Sequence, residues 1–234
     1  MGRVSDSKFR KYRYRDEKVA EQYDEVRFGS GARRQHDLAT RRSLSHALRF
    51  LSDGNAVLDL PAGTGRWTDL CVRRKLRYVG GDISREMLNV ARKKHASIEK
   101  SFALVQCDAT ALPFPDASFD CVLAFKFLSL LPEEMRAKVL TELRRVSRRY
   151  LVAQSGYLRG FDTCLTLRLG VSRLFGQEWR VRKWTQRSAL SGQIEASGWR
   201  PVTRVPVRAG LRSYLWPFGV PYLAVYERDE SGAR

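Results

Sequence analysis

Residues 57–67 read VLDLPAGTGRW. The apolar run at residues 57–60 predicts a buried strand, and the segment that starts at Trp67 predicts a helix. The turn between them contains Gly63 and Gly65. A strand, a glycine-containing turn and a helix in this order form the place where α/β proteins receive nucleotide-like ligands. The stretch therefore predicts an α/β fold with a ligand at the turn.

Strands and helices alternate on both sides of this turn. The predicted strands cover residues 56–60, 78–82, 102–107, 121–125, 150–154, 201–207 and 221–227. The predicted helices cover residues 19–28, 37–51, 67–74, 85–95, 133–147 and 186–196. Near-continuous apolar strands that alternate with helices are typical of a parallel sheet covered on both faces.

The predicted fold is a single Rossmann-like α/β domain, built on a doubly wound sheet of about seven mostly parallel strands. Residues 1–50 are predicted to form an N-terminal arm and helical cap, and residues 51–234 the domain itself. The alternation stops at residues 156–184, which are rich in Leu, Phe and Arg and predict a late helical insertion.

The turn PAGTGR has neither the G-x-G-x-x-G spacing nor the Gly-Lys-Ser/Thr that cradles phosphates. Instead, Asp59, Asp82 and Asp108 stand at the ends of three successive predicted strands. Asp82 follows Asp59 by 23 residues, close to the spacing of about 20 at which an acid reaches ribose hydroxyls. Three acids without a phosphate cradle favour a cationic, nucleoside-containing ligand such as S-adenosylmethionine. Plain structural explanations remain open: Asp59 and Asp108 as loop caps, Asp82 as a helix N-cap.

Four motifs in register carry a family resemblance. VAEQYD (19–24), VLDLPAGTGRW (57–67), GGDISREML (80–88) and CDATALPFPDASFDCVL (107–123) resemble the class I S-adenosylmethionine-dependent methyltransferases. The chain is most similar to the small-molecule branch that includes the ubiquinone/menaquinone-biosynthesis type, over residues 19 to about 155. The resemblance implies S-adenosyl-L-methionine as the cofactor and an antiparallel last strand in the sheet.

The resemblance also implies which residues contact the cofactor. They are Tyr23, Asp59, Ala62, Gly63, Gly65, Asp82, Ile83, Asp108, Ala109 and Phe125. By this resemblance, Gly63 and Gly65 allow the methionine moiety to approach closely. Asp59 would hold the loop and, directly or through water, the ammonium group, and Asp82 would accept both ribose hydroxyls.

The remaining implied contacts surround the adenine and the sulfonium. Ile83 would pack on the adenine, while Asp108 with Ala109 would read its edge. Phe125 would flank the sulfonium, and Tyr23 would cover the cofactor from the cap. Each of these roles is an expectation from the resemblance.

The chain departs from the family pattern at two places. Pro61-Ala62 stands where Gly-Cys is usual, and Pro61 removes a backbone donor from the turn. Ser129-Leu130 replaces a His pair that relatives often have after the fourth strand, so the catalytic base stays unknown. The histidines lie in no motif and are predicted to be surface residues; they are His36, His46 and His95.

The net charge is +18 and the pI is about 10.3. Residues 143–212 hold 15 Lys/Arg against 3 Asp/Glu. Such an excess attracts polyanions, although it is also compatible with solvated protein surface. Leu and Arg are interleaved between residues 159 and 182, which favours contact with an anionic membrane surface; binding of RNA is the alternative.

Several classes of protein are disfavoured. No apolar run is long enough to span a bilayer, and MGRVSDSKFRKYRYR lacks the apolar core of a secretory signal. We therefore expect a cytoplasmic protein, with a peripheral membrane location as the further expectation. The four cysteines form no C-x-x-C pair, which predicts buried, reduced thiols and no metal site; a disulfide or zinc site is the alternative.

Three functions follow from these patterns. The first is a methyltransferase that acts on a small-molecule or lipid-like acceptor. The second is an RNA methyltransferase, favoured by the basic last third and by QEWRVRKW at residues 177–184. The third is a non-catalytic cofactor-binding protein of the same fold, suggested by Pro61. The sequence leaves the acceptor atom and the oligomeric state open.

Overall fold

The structure is a computed structural model and describes residues 16–158, 190–208 and 220–229. Its strands are β1 (Ala56–Asp59), β2 (Arg77–Asp82), β3 (Phe102–Gln106), β4 (Phe119–Ala124), β5 (Ser147–Leu158), β6 (Trp199–Pro206) and β7 (Val220–Arg228). Its α-helices are α1 (Glu17–Glu21), α2 (Tyr23–Phe28), α3 (Gly31–Ala47), α4 (Thr68–Arg73), α5 (Arg85–Lys94), α6 (Glu133–Val146) and α7 (190–196). Short 3-10 helices span Leu48–Phe50, Ala96–Ser101 and Leu128–Leu130.

The strands form one seven-stranded sheet in the order β3-β2-β1-β4-β5-β7-β6. Strands β1 to β5 are parallel, whereas β7 runs antiparallel to both of its neighbours, β5 and β6. This confirms the predicted doubly wound, mostly parallel sheet with an antiparallel last strand. Because the parallel strands all end at one edge, the segments that follow β1, β2, β3 and β4 meet there.

Two apolar clusters cover the two faces of the sheet. Side chains alternate along a strand, so Leu58 enters one cluster with Leu143 of α6, and Val57 enters the other. On the second face, Leu44 of α3 and Leu48 just after it are almost fully buried. Each such side chain contributes about 2 kcal/mol to folding. Helix α3 therefore belongs to the helical layer that covers the sheet.

The cap differs from its prediction in two details. The helix expected at residues 19–28 is two short helices, which meet at Gln22. Helix α3 begins at Gly31, six residues before the predicted start. Residues 33–36 are polar and lack apolar periodicity, so the pattern that locates helices did not reveal this first turn.

Parts of the predictions lie outside the described residues. These are the arm up to residue 15, the insertion from residue 159 onward, and the beginning of the helix expected at residues 186–196. The interleaved Leu and Arg side chains of residues 159–182 lie there too. In the part of the chain that is described, no helix has both the length and the apolar character needed to cross a bilayer.

Candidate cofactor and acceptor site

The glycine-containing turn connects β1 to α4 at the carboxyl edge of the sheet. Gly63 and Gly65 both have positive φ, at 55° and 67°, a conformation that favours glycine. The turn is pinned to the neighbouring strand, because the amide of Ala62 donates to the carbonyl of Gly81 at 2.8 Å. Ala62 itself is buried.

The two glycines serve different purposes. A Cβ atom at Gly65 would lie 2.9 Å from Thr68 Oγ1 and 3.1 Å from His95, so this glycine is required by packing. A Cβ atom at Gly63 would meet only the methyl of Met87, at 3.5 Å. Gly63 therefore borders the open side of the turn, where a ligand can approach the backbone.

Asp82 ends β2 and fastens the turn. Its Oδ2 accepts from the amide of Gly63 at 2.8 Å, and its Oδ1 accepts from the amide of Ser84 at 2.9 Å. Burial raises the pKa of Asp82, although these backbone hydrogen bonds oppose the rise. The N-cap of α5 is Ser84, whose Oγ accepts from Met87, so the explanation of Asp82 as the helix cap is wrong.

Asp59 ends β1 and is only 1% exposed. The Tyr78 hydroxyl donates to its Oδ2 at 2.7 Å, while its buried Oδ1 has no hydrogen-bond partner among the described residues. Burial raises the pKa of Asp59 to about 7, and the hydrogen bond from Tyr78 opposes this rise. The amide of Gly63 donates to Asp82 rather than to Asp59. Asp59 is thus a buried carboxyl group with an oxygen available to a donor.

Asp108 follows β3 and is exposed. Its Oδ1 accepts from both the amide and the hydroxyl of Thr110, at 2.9 and 2.8 Å, which is the loop-capping geometry considered above. The loop is held from below by Arg145, which donates to the carbonyls of Leu112 and Phe114 at 2.9 and 2.8 Å. Asp108 therefore occupies the predicted edge and also shapes its own loop.

The remaining predicted residues border the same edge. Ile83 and Ala109 are half-buried next to Asp82 and Asp108. Phe125 follows β4 and packs on Trp67, with ring centroids 5.0 Å apart. Tyr23 is half-buried on α2 and contacts Phe28 edge to face at 6.0 Å.

A cluster of cations and aromatic rings, which sequence reasoning missed, lies between the cap and this edge. The Arg66 guanidinium lies 4.0 Å from the ring centroid of Phe28 and 4.3 Å from that of Trp67. The Lys126 ammonium lies 4.8 Å from the same Phe28 ring. We call Phe28, Arg66, Trp67 and Lys126 the cation–aromatic cluster. Arg66 and Trp67 lie within the motif at residues 57–67 and Lys126 directly follows Phe125, but Phe28 carries no local signal.

Lys126 has an unusual backbone in this cluster. Its φ is 50°, which is uncommon for a residue with a side chain and recurs at functional sites. Gln154 stands beside this region, one residue beyond Ala153, which pairs with Ala124 of β4. The buried Oε1 of Gln154 has no hydrogen-bond partner in the described part of the chain.

The histidine predictions need one correction. His95 is buried, not at the surface, because its Nε2 makes a 2.8 Å hydrogen bond with the carbonyl of Gly65. His36 is half-buried on α3. Burial lowers the pKa of His36, and the nearby cations Lys126 and Arg66 lower it further, against an opposing effect of Asp37. His46 is exposed, as predicted.

Polar contacts tie the cap to the glycine-containing turn. Asp24 of α2 accepts from the hydroxyl of Thr64 at 2.7 Å and from the ammonium of Lys94 at 2.6 Å. Asp37 of α3 pairs with Arg66. The cap and the turn are therefore positioned by the same set of side chains.

Arg136 holds the segment that follows β4. It is buried and donates to the carbonyls of Leu128 and Leu131, at 2.9 and 2.7 Å, and to the side chain of Gln193. These contacts join α6, α7 and the segment that begins with Lys126. Hydrogen bonds from a charged donor are stronger than neutral ones, so Arg136 fixes the loop that borders the site.

Three further features were considered as possible sites: a second groove, the cysteines and groups of metal-ligating side chains. A groove of about 880 Å³, bordered by Arg149, Arg200 and Glu227, opens at the opposite edge of the sheet. Cys71, Cys107 and Cys121 are buried free thiols, as predicted, and Cys164 lies outside the described residues. No group of His, Cys, Asp and Glu side chains within the described ranges could hold a metal ion.

The comparisons with known proteins agree with this geometry. Residues 57–149 match the family model of a methyltransferase domain. The chain is 28% identical over 168 residues to the demethylmenaquinone methyltransferase of Thermobifida fusca, covering 64% of this chain and 70% of that protein. It is 38% identical over 111 residues to the phosphatidylethanolamine N-methyltransferase of Cereibacter sphaeroides, covering 47% of this chain and 52% of that protein.

The fold has solved counterparts. The magnesium protoporphyrin IX methyltransferase of Synechocystis PCC 6803, crystallised with bound S-adenosylmethionine, superimposes with a TM-score of 0.65 at 14% identity. The match covers 98% of this chain and 100% of that chain. The domain match, the relatives and the sheet topology together show that the chain contains a methyltransferase domain and resembles the class I S-adenosylmethionine-dependent methyltransferases of the ubiquinone/menaquinone-biosynthesis type.

Proposed function

We propose that the chain binds S-adenosylmethionine over the open side of Gly63 and transfers its methyl group to a small-molecule or lipid-like acceptor. The observation that carries the site assignment is an open turn flanked by two buried carboxyl groups, Asp59 and Asp82. The cofactor carries an ammonium group, a sulfonium and a ribose diol, which are the groups that carboxylates bind well.

The residues fit this cofactor. The unpartnered Oδ1 of Asp59 would accept a hydrogen bond from the ammonium group or from a bridging water. Asp82 would accept the ribose hydroxyls with the lone pairs that its backbone amide donors leave available. Gly65 and Ala62 would shape the turn without blocking it.

The adenine would lie beside β3. In this proposal Ile83 packs against the ring, and Asp108 with Ala109 contacts its edge. Phe125 would flank the sulfonium from the end of β4, and Tyr23 would cover the cofactor from α2. Pro61 leaves the turn with one donor fewer, so the amides of Ala62 and Gly63 would carry the structure of the turn.

The chain would promote the reaction by position and by exclusion of water. When bound, the cofactor supplies a methyl group on a positively charged sulfur, which an acceptor atom takes by in-line displacement. The cap helices and the segment after β4 would align the acceptor and keep water out. The described residues assign no general base, and an acceptor that is already nucleophilic requires none.

The nature of the acceptor rests on the relatives. The two relatives are named for methylation of demethylmenaquinone and of phosphatidylethanolamine, which supports a small-molecule or lipid-like acceptor for this chain. The surplus of Lys and Arg between residues 143 and 212 supports access to that acceptor at an anionic membrane surface. RNA methylation is the alternative that the same charge favours.

Calorimetry with S-adenosylhomocysteine and sedimentation with vesicles would test this proposal. We expect binding of S-adenosylhomocysteine by the whole chain, and co-sedimentation with vesicles of anionic but not neutral lipid at low salt. Failure to bind S-adenosylhomocysteine would refute the cofactor site. No vesicle binding, together with tight RNA binding that falls steeply with salt, would favour RNA as the partner.

A further inference from the structure

The groove of about 880 Å³ lies at the amino edge of the parallel strands, opposite the glycine-containing turn. We call it the amino-edge groove; its lining includes Phe50, Arg148, Arg149, Tyr150, Arg200 and Glu227. A volume of this size is typical of sites that hold small ligands. The proposed methyl donor binds at the other edge of the sheet, so the proposed reaction makes no use of this groove.

Two arginines of the amino-edge groove are held against one carboxylate. Strand β7 lies between β5 and β6, so Glu227 pairs in register with Tyr150 on one side and with Arg200 on the other. Glu227 accepts hydrogen bonds from Arg149 at 3.0 Å and from Arg200 at 2.8 Å. The hydrogen bond from Arg149, and then that from Arg200, lower the pKa of Glu227. Two guanidinium groups on one ionised carboxylate leave a surplus of positive charge.

The guanidinium groups are more accessible than the carboxylate that holds them. The side chains of Arg149 and Arg200 are 63% and 69% exposed, whereas that of Glu227 is 22% exposed. Arg148 pairs with Asp120 in the same way, at 2.7 Å. A guanidinium has more N–H donors than one such contact uses, and its planar fork matches the oxygens of a phosphate group. The groove therefore presents oriented donors for an anion.

Two aromatic rings lie beside these arginines. The ring centroids of Phe50 and Tyr150 are 5.9 Å apart, and the ring planes are inclined by 30°. The Arg149 guanidinium lies 4.9 Å from the centroid of Tyr150, and the Arg49 guanidinium lies 5.0 Å from that of Phe50. Phe50 still has 38% of its surface exposed. A flat ring can stack on this surface, and stacking of this kind is tolerant of which base is present.

An aromatic surface next to guanidinium groups is the combination that binds a base together with its phosphate. An extended polyanion fits the groove less well, because Asp120 and Glu227 stand among the arginines and interrupt a continuous basic track. A flat bilayer does not fill a concave groove. We propose that the amino-edge groove binds a free nucleoside phosphate, whose base stacks on Phe50 and whose phosphates accept hydrogen bonds from Arg149 and Arg200.

Uridine triphosphate is a suitable probe, because it carries both parts of the proposed ligand. It is titrated by calorimetry into the whole chain with S-adenosylhomocysteine in excess, so that the carboxyl edge is closed to the nucleotide. Uridine supplies the base without the anion, and inorganic triphosphate supplies the anion without the base. We expect uridine triphosphate to bind about tenfold more tightly than either, since stacking and charge-assisted hydrogen bonds are each worth about one factor of ten.

Each part of the site has its own variant. Phe50→Leu keeps an apolar side chain but removes the ring, so it should weaken binding of uridine triphosphate about tenfold and leave that of inorganic triphosphate unchanged. Arg200→Gln should weaken binding of both about tenfold, and Arg200→Lys, which keeps the charge, should weaken them less. Because the Arg200 side chain is largely exposed, its variants test the site even if Phe50→Leu lowers stability.

Arg92→Gln is the matched control for the loss of one positive charge. Arg92 is exposed on α5, which packs against β2 and β3 on the other side of the sheet from β6 and β7. At about 0.1 M salt, where distant surface charges are screened, this variant should change the affinity for uridine triphosphate less than about twofold.

Three results would overturn the inference: no binding of uridine triphosphate, equal affinity for uridine triphosphate and inorganic triphosphate, or the same loss in Arg92→Gln as in Arg200→Gln. Two further results would assign the groove to another partner. These are much tighter, Phe50-dependent binding of a single-stranded oligouridylate, or displacement of uridine triphosphate by phosphatidylglycerol vesicles. All of these outcomes are independent of whether the chain transfers a methyl group.

Discussion

Replacing Asp59 with asparagine should stabilise the free protein increasingly as the pH rises. Burial raises the pKa of Asp59 from 3.8 to about 7 in the folded chain. A carboxyl group with a raised folded-state pKa contributes fully to stability below its unfolded pKa, and this contribution is lost as the pH rises through about 7. The amide side chain of the variant stays neutral throughout, so the variant does not lose this contribution.

The pKa difference sets the size of the effect. One pKa unit is worth about 1.4 kcal/mol, so a rise from 3.8 to about 7 corresponds to at most about 4 kcal/mol. Relaxation and water entry reduce the cost of a buried charge. We therefore expect the free energy of unfolding of Asp59→Asn, relative to wild type, to increase by at least about 1 kcal/mol between about pH 5 and about pH 9.

Urea denaturation of both proteins across this pH range measures the difference in their free energies of unfolding directly. The other titrating groups are the same in both proteins, so their contributions cancel. Tyr78→Phe is a second test. It removes the hydroxyl that donates to Asp59 and opposes the rise of its pKa, so the free energy of unfolding should depend on pH up to a higher pH in this variant. In the same samples, S-adenosylmethionine should bind wild type more tightly as the pH rises, because its cationic groups favour the ionised carboxylate. If the free energies of unfolding of variant and wild type differ by the same amount at every pH, the raised pKa of Asp59 is refuted.

Other substitutions test the site and its frame. Asp82→Ala should weaken S-adenosylhomocysteine binding by about 1.5–3 kcal/mol in a calorimeter, the worth of hydrogen bonds to a charged group; unchanged affinity would remove Asp82 from the ribose site. Gly63→Val should abolish this binding and lower the free energy of unfolding by about 1–2 kcal/mol, because the φ of Gly63 is 55°. Retained binding would show that the turn does not contact the ligand. Gly65→Ala, the packing control, should lower the melting temperature through contacts with Thr68 and His95. Arg136→Met should cost roughly 2 kcal/mol or more in urea denaturation, since buried carbonyls lose their donor; a change below about 0.5 kcal/mol would contradict its role.

The sheet and the positions of its acids were predictable from local patterns. Buried parallel strands must be apolar along their whole length, and parallel strands bring their carboxyl ends to one edge. Asp59 and Asp82 therefore had to lie near the glycine-containing turn once the strands were recognised. Their different environments were not predictable, because the hydroxyl of Tyr78 and the amide of Gly63 reach them only in the folded chain.

The features that were missed depend on contacts between distant segments. His95 lies in no motif, yet it is buried against Gly65, thirty residues away. No apolar periodicity around Phe28 indicates its position. The two cations on its ring, Arg66 and Lys126, belong to the loops after β1 and β4. Arg136 looks like a solvated residue of an amphipathic helix, but it is buried against backbone carbonyls. Side-chain chemistry and periodicity indicate which face of a helix or strand is apolar, but they do not indicate which distant segment packs against that face.

The contact of Asp24 with Thr64 has a thermodynamic consequence. Asp24 belongs to the cap and Thr64 to the turn on which the cofactor is proposed to rest, so we expect the position of the cap and the geometry of the turn to depend on each other. Coupling through a shared equilibrium is reciprocal. We therefore expect a molecule that holds the cap in place from the side of Phe28 to raise the affinity for the proposed methyl donor, and the donor to raise the affinity for that molecule by the same factor.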